Sequence, residues 1–190
     1  MKIVSLEGCN TSREDVYITL RSDSSILRNN DNFYMPDFSE DVVCTVGYTL
    51  HITRLAKCVE PRFASRCYDA VGLGVAFTAR DVVRRSIEKG RPCDEAYCFD
   101  HSFATSPTAI PAVELGAGRV TLRLGEQMVD GARDELLFSL DECVSHASKV
   151  MTLKTGDIVY VSIVPQQPVR PNDDVVVLLD GVEMLNFQTK

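Results

Sequence analysis

Few side chains in this 190-residue sequence have the type and spacing for chemistry. Tyr97, Asp100 and His101 fall in one short stretch, and a phenol, a carboxylate and an imidazole can each move a proton. Neighbours on an extended strand point to opposite faces, so Asp100 would not orient His101. No third group completes the set. Arg80 and Asp81 suit either a ligand at a pocket rim or an ion pair with a helix cap, and capping is the usual work of Asp at a helix start. Cys44 or Cys98 could act as a nucleophile with His51 or His101. A reactive thiol needs a base or positive charge beside it. The sequence shows neither, so buried packing is the simpler reading. His146 reads as a polar-face or interface residue, and Glu114, Glu126, Asp130 and Asp134 as solvated charges.

The elements that would position these residues are mostly strands. Lys2–Leu6, Val16–Leu20, Val42–Ile52, Arg119–Leu124, Ile158–Val164, Val175–Leu179 and Val182–Phe187 are rich in β-branched residues, and several alternate apolar with polar. Asp180-Gly181 signals a tight hairpin between the last two. Three helices are expected. One starts at Glu60-Pro61 with Phe63, Cys67 and Val71 at helical spacing. A second runs from Ala79 to Lys89, capped by Thr78 or Asp81 and stopped by Gly90 and Pro92. The third spans Leu140–Met151, and Ser139 with Glu142 forms its capping box. The pattern predicts an α+β, mostly β fold in one domain over 1–190.

Composition narrows the function classes. Net charge is −7 and the pI about 5.0, which disfavours nucleic acid as a partner. The apolar run in MKIVSLEGCN is too short for a signal peptide or a membrane span, so a cytoplasmic protein is expected. The seven cysteines are scattered without zinc-finger spacing and read as reduced thiols.

Four segments, in order, resemble the fumarylacetoacetate hydrolase family. Leu27–Asp41 (LRNNDNFYMPDFSED) is similar to the segment leading into that family's first metal-binding strand. Val71–Asp81 (VGLGVAFTARD) looks like its G-[IV]-D-F-T-A-R-D motif, and Leu136–Asp157 looks like its helix followed by T-L-x-x-G-D. The tail from Pro168 to Lys190 resembles its closing strand and hairpin. The resemblance covers the chain from about residue 15. It implies a mixed β-roll with a few short helices that usually dimerises. It also implies Mg²⁺ or Mn²⁺ acting as a Lewis acid on diketo or oxo acids.

The resemblance also implies a site that has lost its ligands. The family's two glutamates of an E-x-E strand fall on Thr45 and Gly47, and its aspartate falls on Ala76. The family lysine is Tyr97, its Lys-Pro pair is Arg21-Ser22, and its closing G-T-P-A-G-V-G loop is Ser162–Gln167. The N-terminal His/Glu lid is shortened, with Cys9-Asn10-Thr11 remaining nearby. The expectation is a catalytically inactive homologue without a metal cofactor. It would bind a small carboxylate near Arg21, Thr45 and Arg80, or act as a homodimer or as the partner of an active paralogue. The alternative is a divergent hydrolase, isomerase or decarboxylase using Tyr97, Asp100 and His101.

Overall fold

The computed structural model describes residues 1–190. Its strands are β1 (Lys2–Glu7), β2 (Tyr17–Ser22), β3 (Ile26–Leu27), β4 (Val42–Ile52), β5 (Tyr68–Ala79), β6 (Phe103–Thr105), β7 (Ile110–Pro111), β8 (Val120–Leu124), β9 (Gln127–Gly131), β10 (Ile158–Pro168), β11 (Asp174–Leu179) and β12 (Val182–Gln188). Its helices are α1 (Pro61–Ala64), α2 (Arg80–Glu88), α3 (Asp94–Tyr97) and α4 (Leu140–Val150). This is a mostly β, mixed roll with a few short helices, as the sequence pattern and the resemblance both predict, and α3 is one more than the three helices expected.

An eight-stranded sheet runs in the order β2-β1-β10-β4-β5-β6-β3, with β7 paired to β5. A four-stranded sheet runs β12-β11-β8-β9. The long central pair is β4 with β5, antiparallel from Val42↔Ala79 to Ile52↔Tyr68. β1 joins through a parallel pairing with β10, Ile3↔Ile158 to Leu6↔Val161.

Alternation in these strands separates two faces. Val4, Leu6, Val46, Tyr48, Leu50, Val71, Leu73, Val75, Phe77, Val159 and Val161 face the small sheet and α4, and with Leu122, Val175, Val177, Leu185, Val144 and Ala147 they form the main core. Full burial of each large aliphatic or aromatic side chain contributes about 1.5–3 kcal/mol. Phe33 stacks on Phe77 at 3.7 Å between ring centroids. The opposite face turns inward as the sheet curls, and it carries the small and polar residues of the site.

Local signals account for the ends of the elements. Ser139 and Glu142 make the capping box of α4, with Ser139 Oγ accepting from Glu142 N at 3.2 Å and Glu142 Oε2 accepting from Ser139 N at 2.8 Å. The β11–β12 turn has Asp180 at φ 48 and Gly181 at φ 84, the positive pair that a two-residue hairpin needs. The Asp of the T-L-x-x-G-D segment, Asp157, is structural here. Its carboxylate accepts from Lys2 N at 3.0 Å and Lys154 N at 2.7 Å and pairs with Lys2 Nζ, tying β1 to β10.

Two expectations need correction. The helix from Pro61 ends at Ala64, and Cys67 and Val71 are not part of it. The competing period-two pattern wins: Val71, Leu73, Val75 and Phe77 are buried in the main core, while Gly72, Gly74 and Ala76 lie on the opposite face of β5. At the start of α2 the N-cap is Ala79, with no side-chain cap. Asp81 instead accepts from Val82 N at 2.9 Å, Ser39 Oγ at 2.6 Å and Arg85 Nη1 at 2.8 Å.

Candidate functional site

The inward face of the large sheet can be read row by row from the strand registers. Thr45 pairs with Ala76, and Ala76 with Phe103. Gly47 pairs with Ser162 on one side and Gly74 on the other. Thr49 pairs with Tyr160 and Gly72. β1 and β2 add Ile3, Ser5 and Glu7 opposite Arg21, Thr19 and Tyr17. Thr45, Gly47 and Ala76 are therefore neighbours on one face, because residues two apart on a strand share a side.

The space in front of them is filled. Ala76 lies in a small cluster with Ile3, Ile26, Phe103, Ile158 and Tyr160. The Tyr160 ring packs edge-on against Phe103, 5.3 Å between centroids. Tyr160 Oη donates to Thr45 Oγ1 at 3.0 Å, and Thr45 Oγ1 reaches Glu7 Oε1 at 3.5 Å, the outer limit of a hydrogen bond. At Gly47 a Cβ would lie 2.0 Å from Val161 O and 2.8 Å from Ser162 Cα. The β10 backbone thus closes against Gly47, just before the irregularity between Ser162 and Val164.

Arg21 crosses this interior. It is 1% exposed, and its Nη1 donates to Phe77 O at 2.8 Å, Ser102 O at 3.2 Å and Tyr97 O. Its Nε and Nη2 have no partner. Glu7 is its counter-charge. Burial pushes the Glu7 carboxyl up, and Arg21, Ser162 and Thr45 oppose that without cancelling it. Burial likewise lowers Arg21, opposed chiefly by Glu7. Neither Glu7 nor Tyr160 stands out in the sequence. An acidic residue in phase with Ile3 and Ser5 on a strand was the one signal for Glu7.

The carboxylate count decides what this place can hold. A hard divalent cation needs several oxygen ligands, chiefly carboxylates. Thr45, Gly47 and Ala76 supply none, Glu7 is the one carboxylate beside them, and no group of three or more His, Cys, Asp or Glu in the chain is arranged to hold an ion. The residues present do not fit a Mg²⁺ or Mn²⁺ site.

The other candidates are dispersed. Tyr97 is half-buried on α3, and burial raises its phenol further from neutrality. Asp100 and His101 are exposed, with His101 at φ 61, and they form no hydrogen bond or ion pair with each other. Arg80 lies on the outer surface, where Nε and Nη2 bond both oxygens of Asp41 at 3.0 and 2.8 Å. Arg84 reaches the same carboxylate at 2.7 Å. Of the pocket candidates, Arg21 and Thr45 share the interior and Arg80 is outside it.

The two thiols separate sharply. Cys44 is fully buried, and burial pushes it up to about 12. Burial would raise Cys98 as well. Hydrogen bonds from Ser22 and Ser25 and the charge of Arg21 outweigh that and hold it below the usual thiol range. Its Sγ accepts from Ser22 N at 3.2 Å and sits 3.5 and 3.6 Å from the Ser22 and Ser25 hydroxyls. Thiolate is the reacting species, so a depressed thiol keeps reacting at lower pH. At neutral pH, iodoacetamide should label Cys98 before the exposed Cys58, as read by peptide mass mapping. Equal or slower labelling of Cys98 would contradict the electrostatics described.

The family model described as fumarylacetoacetate (FAA) hydrolase C-terminal matches residues 10–188. The chain belongs to that family. An uncharacterised protein of Pyrococcus abyssi is 27% identical over 180 residues, 90% of this chain and 78% of that one. A mitochondrial oxaloacetate tautomerase of Mus musculus is 31% identical over 137 residues, 68% of this chain and 61% of its own length. A fumarylpyruvate hydrolase from Pseudomonas aeruginosa, solved in complex with Mn²⁺ and pyruvate, superposes with a TM-score of 0.87 at 18% identity, covering 100% of this chain and 89% of that one. A 5-carboxymethyl-2-hydroxymuconate delta-isomerase from Mycobacterium smegmatis gives 0.85 at 20% identity over 99% and 76%. At these identities the structural likeness speaks for the fold. Within the fumarylacetoacetate hydrolase family, the inward face of the β4–β5 pair is where the sequence resemblance places the metal carboxylates. In this member the same face holds Thr45, Gly47 and Ala76, with Tyr160 packed with Ala76 and bonded to Thr45. No helix is long and apolar enough to cross a membrane.

Proposed function

We propose that this chain is a non-catalytic member of the fumarylacetoacetate hydrolase family, with its metal centre rebuilt as packed interior. One observation carries the reading. The positions expected to bear three carboxylates are adjacent on one face and bear none, Tyr160 packs with Ala76 and bonds Thr45, and the β10 backbone closes against Gly47. Converging carboxylates without an ion repel one another. Thr, Gly and Ala remove that repulsion, and the one carboxyl that remains, Glu7, is opposed by the charge of Arg21 through space. The role left to such a chain is that of a binding or partner subunit, as a homodimer or beside an active paralogue.

The test is thermal unfolding in EDTA and across a Mn²⁺ and Mg²⁺ titration, with oxaloacetate turnover assayed alongside. The expected result is an unchanged melting temperature and no metal-dependent tautomerisation or decarboxylation. A site filled at a hundred times its dissociation constant would stabilise the fold by about 2.7 kcal/mol. A saturable shift of that size, with turnover, would defeat the proposal.

A further inference from the structure

The buried polar atoms without partners are Ser5 Oγ, Thr19 Oγ1, Arg21 Nε and Nη2, Thr49 Oγ1, His51 Nε2 and Thr105 Oγ1. Every one of these side chains projects from the inward face of the large sheet, as the registers of β1, β2, β4, β5 and β6 place them. An unpaired buried polar atom costs about 1–3 kcal/mol, so a row of them on one face marks where polar contacts are left to be made. Arg21 is enclosed. Two of the others belong to His51 and Thr105, residues that line a cleft of about 290 Å³, although the polar atoms themselves are closed to solvent.

This cleft is not the site where the family's chemistry is expected. His51 and Thr45 share a face of β4 but stand six residues apart, about 20 Å along a strand. The cleft walls supply three kinds of contact. Ile26, Pro107 and Ile158 give an apolar body. His51 and Thr105 hold hydrogen-bonding atoms that nothing in the chain uses, set behind the wall. Arg28, exposed at the rim, makes no ion pair and no side-chain hydrogen bond, so its guanidinium is free to take a carboxylate. Asp157 also borders the cleft, but its carboxylate is spent on Lys2 and on Lys154 N. The volume is at the small end for ligand sites.

We propose that this cleft binds a small monocarboxylic acid with a compact apolar body. Its carboxylate pairs with Arg28, its body lies against Ile26 and Ile158, and rotation of the His51 and Thr105 side chains brings their unused polar atoms to the ligand. The site does not depend on the reading of the metal centre, and a catalytic chain would carry it equally.

The three histidines give a direct readout. Benzoate is the probe, titrated into ¹³C-histidine-labelled protein, with benzamide as its uncharged counterpart. The expected result is a saturable imidazole shift at His51 while His101 and His146 stay in place. Arg28→Ala should weaken benzoate binding about tenfold, equivalent to ~1.4 kcal/mol. Thr105→Val, which keeps the shape and removes the hydroxyl, should weaken it less. No shift at His51 would overturn the proposal. So would equal binding of benzamide, which would remove the carboxylate from the recognition. A shift at His101 in place of His51 would put the ligand in the neighbouring depression that Arg28 also lines, and would likewise overturn it.

Discussion

Placing any side chain at Gly47 is expected to damage the fold severely. A Cβ there meets backbone, Val161 O at 2.0 Å and Val161 C at 2.7 Å, and backbone cannot rotate away as a side chain can. Overpacking a core typically costs 1–3 kcal/mol, and an obstruction made of the neighbouring strand puts Gly47→Ala at about 3 kcal/mol. Gly47→Glu should not give a native sheet at all, because β4 and β10 would have to separate to admit it. Urea unfolding followed by circular dichroism would read both effects. A Gly47→Ala protein within about 0.5 kcal/mol of the parent would refute this view of the β4–β10 contact. The same obstruction predicts that Thr45→Glu, Gly47→Glu and Ala76→Asp combined will not create a manganese site. Restoring ligand identities does not restore the room between the strands.

Removing Arg21 is the second large effect. Arg21→Met strips a donor from Phe77 O, Tyr97 O and Ser102 O and leaves Glu7 buried without its cation. Arg21 acts on Glu7 through space without a direct contact, so the main loss is that of the buried carbonyls left without their donor, about 1–3 kcal/mol for each group left unsatisfied. Replacing both partners, Glu7→Gln with Arg21→Met, should cost less than the sum of the single changes. A double-mutant cycle in urea measures that coupling. Additive losses would mean that the two charges do not sense each other. The pH dependence has a defined sign. The folded-state value of Glu7 is raised above the ordinary 4.5, so the folded chain holds this proton longer than the unfolded one. Stability from Glu7 is full below 4.5 and declines as pH rises through the raised folded value. Asp41, Asp81, Asp157 and Glu142 are lowered and act in the opposite sense in acid. The difference between parent and Glu7→Gln isolates Glu7: the deficit of the parent should grow as pH rises above 4.5.

How much of this was legible depended on the range of the interaction that fixes each part. Val42–Ile52 is a strand to the residue, because its β-branched alternation is a local property of eleven residues. The α4 cap and the Asp180-Gly181 turn are equally local. Tyr68–Ala79 was hidden, since Phe63, Cys67 and Val71 fall by coincidence at helical spacing and Gly72 and Gly74 weaken the strand signal. The glycines make sense only beside their neighbours: a Cβ at Gly74 would meet the Phe103 ring at 2.7 Å, and one at Gly72 would meet Ser106 Oγ at the same distance. Family resemblance located Thr45, Gly47 and Ala76, and the registers bring them together. No motif pointed to Glu7 or Tyr160, or showed that Phe77 and Tyr97 would meet Arg21. Their meeting depends on a parallel pairing between β1 and β10 that no short pattern encodes.

That pairing also governs how the chain can reach its structure. The strand at residues 2–7 has one neighbour, β2, available early, and its other neighbour lies more than 150 positions downstream. During synthesis the β1–β2 hairpin must wait as an isolated two-stranded ribbon, which is marginal in water. Folds dominated by such distant contacts assemble in milliseconds to seconds rather than microseconds. Arg21 and Glu7 spend that interval solvated and enter the interior together only when β10, at Ile158–Pro168 in a chain of 190 residues, arrives. The closing event of folding is therefore also the event that desolvates the buried carboxyl of Glu7 and the guanidinium of Arg21.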